Sequence, residues 1–266
     1  MKIQKTLLLM IATIFMVVAC HNNESQVVQS DSTDTVAVET AKLRVDTNFQ
    51  IKKISVFDAS GKIHYNDEFS YDQNGRLISV NAGATAISYG TGKDSFVCVK
   101  TNGCSYSYVY DEEGRLTKLQ QSGADWKNEM KIEVEQGRLK KLSAHDMDFH
   151  EKADWNSDNL QSYQQFDEGE TITYTYSYGN IVNRFGFDII GYLACTENRL
   201  PYMNVRYLLK ESTSKNLPSV ITVTRTSEGS ETVMEKFNLS YHLDNKDRVQ
   251  TITVEGNKKY EITYSD

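Results

Sequence analysis

The stretch YDQNGRLISV at 71–80 returns as YDEEGRLTKL at 110–119, and the repetition decides the fold. In each copy an aspartate opens a four-residue turn and a glycine closes it: Asp72 with Gly75, then Asp111 with Gly114. A type I turn prefers this arrangement, because the first-position aspartate accepts from nearby backbone amides and the last-position glycine tolerates a positive φ. Alternating strands flank both turns. EFSY at 68–71 and SYSYVY at 105–110 lead in, and RLISV and RLTKL lead out. The aspartates are therefore turn formers, and the repeated sentence carries shape rather than chemistry.

Weaker copies extend the pattern: VFDASGKIHY at 56–65, IEVEQGRLKKL at 132–142, DWNSDNLQSY at 154–163 and LSYHLDNKDRVQTI at 239–252. One unit is a strand, a tight turn, a strand and a looser turn. Such a unit cannot bury a face alone and must stack on its neighbours. Strands are expected near 50–57, 62–71, 76–81, 85–90, 95–101, 104–110, 115–120, 130–135, 138–144, 160–166, 171–178, 219–226, 231–242 and 247–254, with 258–264 as one more. A twisted sheet of about fourteen strands curls or closes. The expected fold is all-β, an antiparallel meander rolled into a barrel or a strongly curved sheet. It forms one domain over 45–266. One region breaks the period: the insert 183–213 is apolar without alternation, with Asn183 placed to cap a short helix holding Phe187, Ile190 and Leu193. A helix apolar on most sides must be buried, so the insert should plug the barrel or cover one mouth.

The core Y-D-x-x-G-R-L at 71–77 and 110–116 resembles the tyrosine-aspartate repeats of Rhs toxin shells. Over roughly 45–266 the chain is also similar to a Bacteroidales-type family of uncharacterised lipoproteins, a domain of unknown function with a porin-like fold. That resemblance rests on the YD strands, the segment STSKNLPSVITV at 212–223 and the N-terminal cysteine motif described next. It implies a fold and lends no catalytic residue.

The N-terminus, MKIQKTLLLMIATIFMVVAC, has Lys2 and Lys5, an apolar run from Leu7 to Val18, and small Ala19 before Cys20. It resembles a bacterial lipoprotein signal: residues 1–19 are removed and Cys20 carries the lipid. Two or more acyl chains anchor durably where one would not. Residues 20–44 then read as the lipidated cysteine and a flexible tether, too polar to offset their chain entropy. His21 after the cysteine is not the Asp that marks inner-membrane retention in some bacteria, which favours the outer membrane. Loss of residues 1–19 takes the net charge from −7 to −9, and an acidic surface repels phosphate backbones, excluding nucleic acid as a natural partner. A mean hydropathy of −0.52 argues against a lipid-facing barrel wall.

Four sets of residues are candidates for chemistry. In SAHDMDFHEKADW at 143–155, Asp146, Asp148 and His150 would share one strand face and offer oxygen and nitrogen to a metal, or with His145 an acid–base pair. The same pattern describes a wet outer strand face, which is the simpler reading. Tyr106, Tyr108 and Tyr110, and likewise Tyr174, Tyr176 and Tyr178, each line one strand face. Facing water they would make an aromatic surface for a sugar or peptide; facing inward they are core. Cys98 and Cys104 bracket VKTNG. A five-residue loop would allow a disulfide, which is favoured, whereas a two-residue Asn102–Gly103 turn would set Cys98 opposite Ser107. Cys195 in the insert reads as a buried thiol. The nucleophile elbow, the zinc-protease helix motif and a complete phosphate loop are absent from the sequence. The expectation is a non-catalytic envelope protein without cofactor, attached to the membrane through Cys20, with a glycan, a peptide or an envelope protein as partner. An enzyme using the 145–154 cluster is the alternative.

Overall fold

The computed structural model describes residues 46–265, apart from 82, 91–95, 102, 112, 126, 145–149, 168, 197–207 and 257. After a 3-10 turn at Thr47–Phe49 come β1 (Ile51–Phe57), β2 (Ile63–Tyr71), β3 (Leu77–Val80), β4 (Thr85–Tyr89), β5 (Phe96–Thr101), β6 (Cys104–Tyr110), β7 (Leu116–Ser122) and β8 (Lys127–Glu135). Then follow β9 (Arg138–Ala144), β10 (His150–Asn156), β11 (Asn159–Asp167), β12 (Glu170–Val182), the helix α1 (Ile189–Thr196), β13 (Asn216–Ser227), β14 (Ser230–Leu243), β15 (Val249–Val254) and β16 (Lys258–Tyr264). Each strand pairs antiparallel with its sequence neighbours, and β1 pairs with β16, so the sixteen close into a barrel. Fifteen of the sixteen lie where the sequence places them. β10 is the addition.

The repeated turn is built the same way at three places. In each, one oxygen of the aspartate accepts from the amides two and four residues on, and the other oxygen accepts from the arginine Nε. For Asp72 the donors are Asn74 N and Arg76 N, both at 2.9 Å, and Arg76 Nε at 2.6 Å. Asp111 repeats this with Glu113, Arg115 N and Arg115 Nε, and Asp244 with Lys246, Arg248 N and Arg248 Nε. Asp58 makes the backbone part of the motif, with Lys62 where arginine stands elsewhere. Hydrogen bonds to the ionised form hold these carboxyls below their usual range; at Asp111 the amide of Arg115 is the largest cause. The copy at 132–142 differs because its turn differs. Gln136 and Gly137 both have positive φ, 52° and 72°, the two-residue type I′ solution, and Arg138 pairs directly with Glu135.

The turns at Asp72, Asp111, Gln136–Gly137 and Asp244 share one rim with the start of β1 and the end of β16, because every odd-numbered strand starts there, whereas the Asp58 turn joins β1 to β2 at the opposite rim. Just inside the rim lies a layer of first inward residues: Leu77, Leu116, Leu139, Leu160, Leu217 and Val249, all buried. Aromatic side chains near the ends of the even strands staple that layer from the adjacent strand. Tyr89 Oη donates to Leu77 O at 2.8 Å, Trp155 Nε1 to Leu139 O at 2.7 Å, Tyr178 Oη to Leu160 O at 2.7 Å and Tyr264 Oη to Val249 O at 2.9 Å. Tyr71, the tyrosine of the first YD copy, accepts from Ile51 N. The abundance of tyrosine thus has a structural cause.

The apolar side of the wall faces inward. Along β8, Met130 and Ile132 are buried while Lys127, Glu129, Lys131, Glu133 and Glu135 are exposed. Lys118–Glu129, Lys140–Asp154 and Lys259–Glu261 are ion pairs of partly exposed side chains. Charged side chains over the outer wall are the reverse of a lipid-facing barrel, whose exterior carries an apolar band. The interior is filled by the insert between β12 and β13. Phe185, Phe187, Ile189, Tyr192, Leu193, Leu208 and Leu209 are all buried. Phe187 packs against Phe69 of the wall and against Tyr192, at ring distances of 6.3 and 6.2 Å, and Phe69 meets Tyr192 at 5.4 Å. Tyr192 Oη also donates to buried Asp67 on β2 at 2.7 Å. The insert is a plug, as its composition required.

Candidate functional site

Where the plug meets the wall below β11–β13 there is a cavity with about 20 Å³ of room for water centres. Its lining includes Tyr176, Tyr178, Asn183, Asp188, Ser214 and Asn216. The plug enters the barrel here. Asn183 Nδ2 donates to Phe187 O and its Oδ1 accepts from Phe185 N, so it shapes the entry turn. The helix cap is Asp188, not Asn183. Its Oδ1 accepts from Gly191 N at 3.0 Å, and Asp188 O accepts from Tyr192 N. The cap falls five residues later than expected because 183–188 form a turn that carries Phe185 and Phe187 inward before the helix begins.

Burial pushes the Asp188 carboxyl up to about 6, opposed by the amides of Gly191 and Ile190. The groups that feel its charge are phenols: Tyr176, Tyr178 and Tyr241 all have raised pKa values, burial being the main cause. Tyr178 Oη also shares a hydrogen bond of 2.9 Å with Ser214 Oγ. The lining offers one carboxylate, phenols and amides, and the volume suits a water rather than a substrate. Among the lining residues no base is set against a nucleophile in the way acyl transfer needs.

The tyrosines expected as a possible aromatic face are interior. Tyr108, Tyr110 and Tyr174 are buried, and Tyr106 and Tyr176 pack against the core. Tyr178 is the staple to Leu160. The exposed-surface reading is corrected: the pleat that alternates these residues turns the tyrosines into the barrel, Tyr174 joining a second cluster with Tyr163 and Val223. The cysteine expectation is also corrected. Thr101 pairs with Cys104, Cys98 pairs with Ser107, and Cys104 is a free thiol. Three residues of offset along a hairpin is about 10 Å, beyond the reach of a disulfide. The tight Asn–Gly hairpin prevailed over the wider loop.

His145, Asp146 and Asp148 lie outside the described residues, as do Cys20 and the side chain of Cys195. His150 sits on β10 opposite Phe166, with its ring stacked on that of Phe166 at 4.1 Å and 10°. The next residue, Glu151, points the other way and is buried with Gln165, whose Nε2 donates to Glu151 Oε1 at 3.4 Å. Among the described residues no three His, Cys, Asp or Glu side chains gather as metal ligands. The sequence singled out neither Asp188 nor the Asp67–Tyr192 bond. The first is one aspartate before an apolar octet, a legible cap signal; the second joins residues 125 apart and leaves no local trace.

No family model matches the chain, and no curated protein matches it. Its structure is similar to the crystal structure of a porin-like protein from Bacteroides uniformis. The two are 16% identical, with a TM-score of 0.53 over 82% of this chain and 98% of that one. The likeness is one of fold.

Proposed function

We propose that this chain is a lipid-anchored component of the bacterial cell envelope that works by binding or as a structural element, not as a conducting pore. The observation that carries this reading is the filled lumen inside a charged wall: Phe187, Ile189 and Tyr192 occupy the interior where a porin holds water. The lipobox-like Val17-Val18-Ala19-Cys20 supports attachment through Cys20, and the finer likeness to the uncharacterised lipoprotein family belongs to the same reading. Acidic charge fits a partner with basic groups, whether peptide, glycan-bearing or protein.

Two measurements test it. Labelling of growing cells with an alkyne fatty acid tags the full chain and not Cys20→Ser, and the variant leaves the membrane fraction. Purified protein added to planar bilayers gives no stepwise conductance. A conducting barrel, or equal labelling of both chains, overturns the proposal.

A further inference from the structure

The wall of the barrel is uneven. β12, β13 and β14 have 13, 12 and 14 residues, whereas β15 and β16 have 6 and 7. β14 pairs with β13 from Ser230 to Asn238, yet its pairing with β15 covers only Leu239 to Leu243. The amide of Glu255 reaches Asn238 O, and among the described residues no strand pairs with the second edge of β14 above that point. Eight residues of edge, 230–237, run about 26 Å past the end of β15. Residues 230–236 are all exposed, and a slip in register opposite Val223 and Thr224 leaves adjacent Val233 and Met234 63% and 55% exposed.

We propose that this edge of β14 is a docking site for an extended peptide segment of another envelope protein, in which apolar residues alternate with lysine or arginine. The segment adds as a strand: backbone amides and carbonyls give the binding, and Val233 and Met234 receive apolar side chains. The surrounding charge chooses the partner. Glu228, Glu231, Glu235 and Glu255 lie along or beside the edge against Lys236 and Lys258. A second copy is the poorer occupant. Two-fold strand pairing centred on Val233 sets Glu231 opposite Glu235 of the second copy, like charges face to face. Centring on Met234 sets Val233 opposite Glu235 instead. The proposal rests on the binding reading above and gives it a site, but it is independent of the anchor, because its test needs no lipid.

The probe is an acetylated, amidated peptide, Lys-Val-Thr-Val-Lys-Val-Thr-Val, beside its Glu-for-Lys counterpart and a scrambled version that breaks the alternation. Each is titrated into the full chain in detergent, with amide hydrogen exchange as readout. The basic peptide should slow exchange at 230–237 at least about tenfold, the acidic and scrambled peptides far less, and the double variant Val233→Lys with Met234→Lys should abolish the effect. Unchanged circular dichroism of that variant shows that it folds. Equal protection by all three peptides, protection elsewhere only, or an edge already protected in a dimer seen by sedimentation overturns the proposal. Failure of fatty-acid labelling would leave it standing.

Discussion

The plugged part of the barrel and the upper part of the β12–β14 wall are made from the same strand-turn grammar but bury different amounts. In the first, most strands turn an apolar residue into the core that holds the insert, and the insert returns aromatic rings and one hydrogen bond to Asp67. In the second, β14 from Ser230 to Lys236 is exposed along its whole length. A strand with neighbours on both edges and a plug on one face is locked from three sides; a strand end with one neighbour is held by one ladder. The contrast separates what holds the fold from what is left over for a partner.

The largest effect should come from the plug. Phe187 is 2% exposed and touches Phe69, Phe185 and Tyr192. Phe187→Ala should cost about 3–5 kcal/mol in denaturant unfolding, with one cooperative transition. A loss under about 1 kcal/mol would mean that the barrel stands without its insert, and the comparison would fail.

Asp188 gives the next effect, and its sign is set by burial. Its folded-state pKa is raised, so the unfolded chain ionises first. Stability contributed by the neutral form is present below about 4 and is lost as pH rises through about 6. Asp188→Asn keeps an acceptor for Gly191 N and removes the charge. At pH 8 it should stabilise the protein by up to about 3 kcal/mol, and at pH 3 by close to nothing. Thermal melts across this range check it; a variant less stable than the parent at pH 8 would show that the carboxylate has an ionic partner.

A rim turn should matter less. Asp244→Ala removes three hydrogen bonds, one from the amide of Lys246 and two from Arg248, whose side chain is 16% exposed and stacked 4.5 Å from the Tyr264 ring. The expected loss is about 1–3 kcal/mol by chemical denaturation. It should shrink as pH falls from the ordinary carboxylate range through the lowered carboxyl pKa, since the contribution exists only while the aspartate is ionised.

The same contrast explains what was legible in the sequence. Rim turns announce themselves because Asp, Gly and Arg act within five residues, so Asp72, Asp111 and most strands could be placed by pattern alone. β10 could not. Its inward set is Glu151, Ala153 and Trp155, and a buried glutamate that accepts from Gln165 on the next strand breaks the apolar alternation that marks a strand. The direction in which the tyrosines face was equally hidden, since alternation gives two faces without saying which one meets the plug. The Cys98 pairing turns on local turn chemistry, where the preference of Asn102–Gly103 for a two-residue loop is the stronger rule. Asp188 and Asn183 are both readable as caps in the sequence, and the choice between them is made by the intervening turn, which is fixed by where Phe187 must go.

The smallest effect belongs to the exposed strand end. Val233 is 63% exposed, so Val233→Lys exchanges one solvated side chain for another, and its stability change should stay within about 0.5 kcal/mol. Hydrogen exchange of the unliganded chain sharpens this. Amides of β14 between Leu239 and Leu243, where the strand pairs with β15 and packs Leu239, Tyr241 and Leu243 against the core, should open only with the whole barrel. Those between Ser230 and Phe237 should open locally at a small fraction of that free energy. Were both halves of β14 to exchange at one rate, the upper wall would be part of the global cooperative unit. Its exposure would then describe a rigid extension of the barrel. Different rates would mean that the strand most open to a new neighbour is also the one that can adjust its register to receive it.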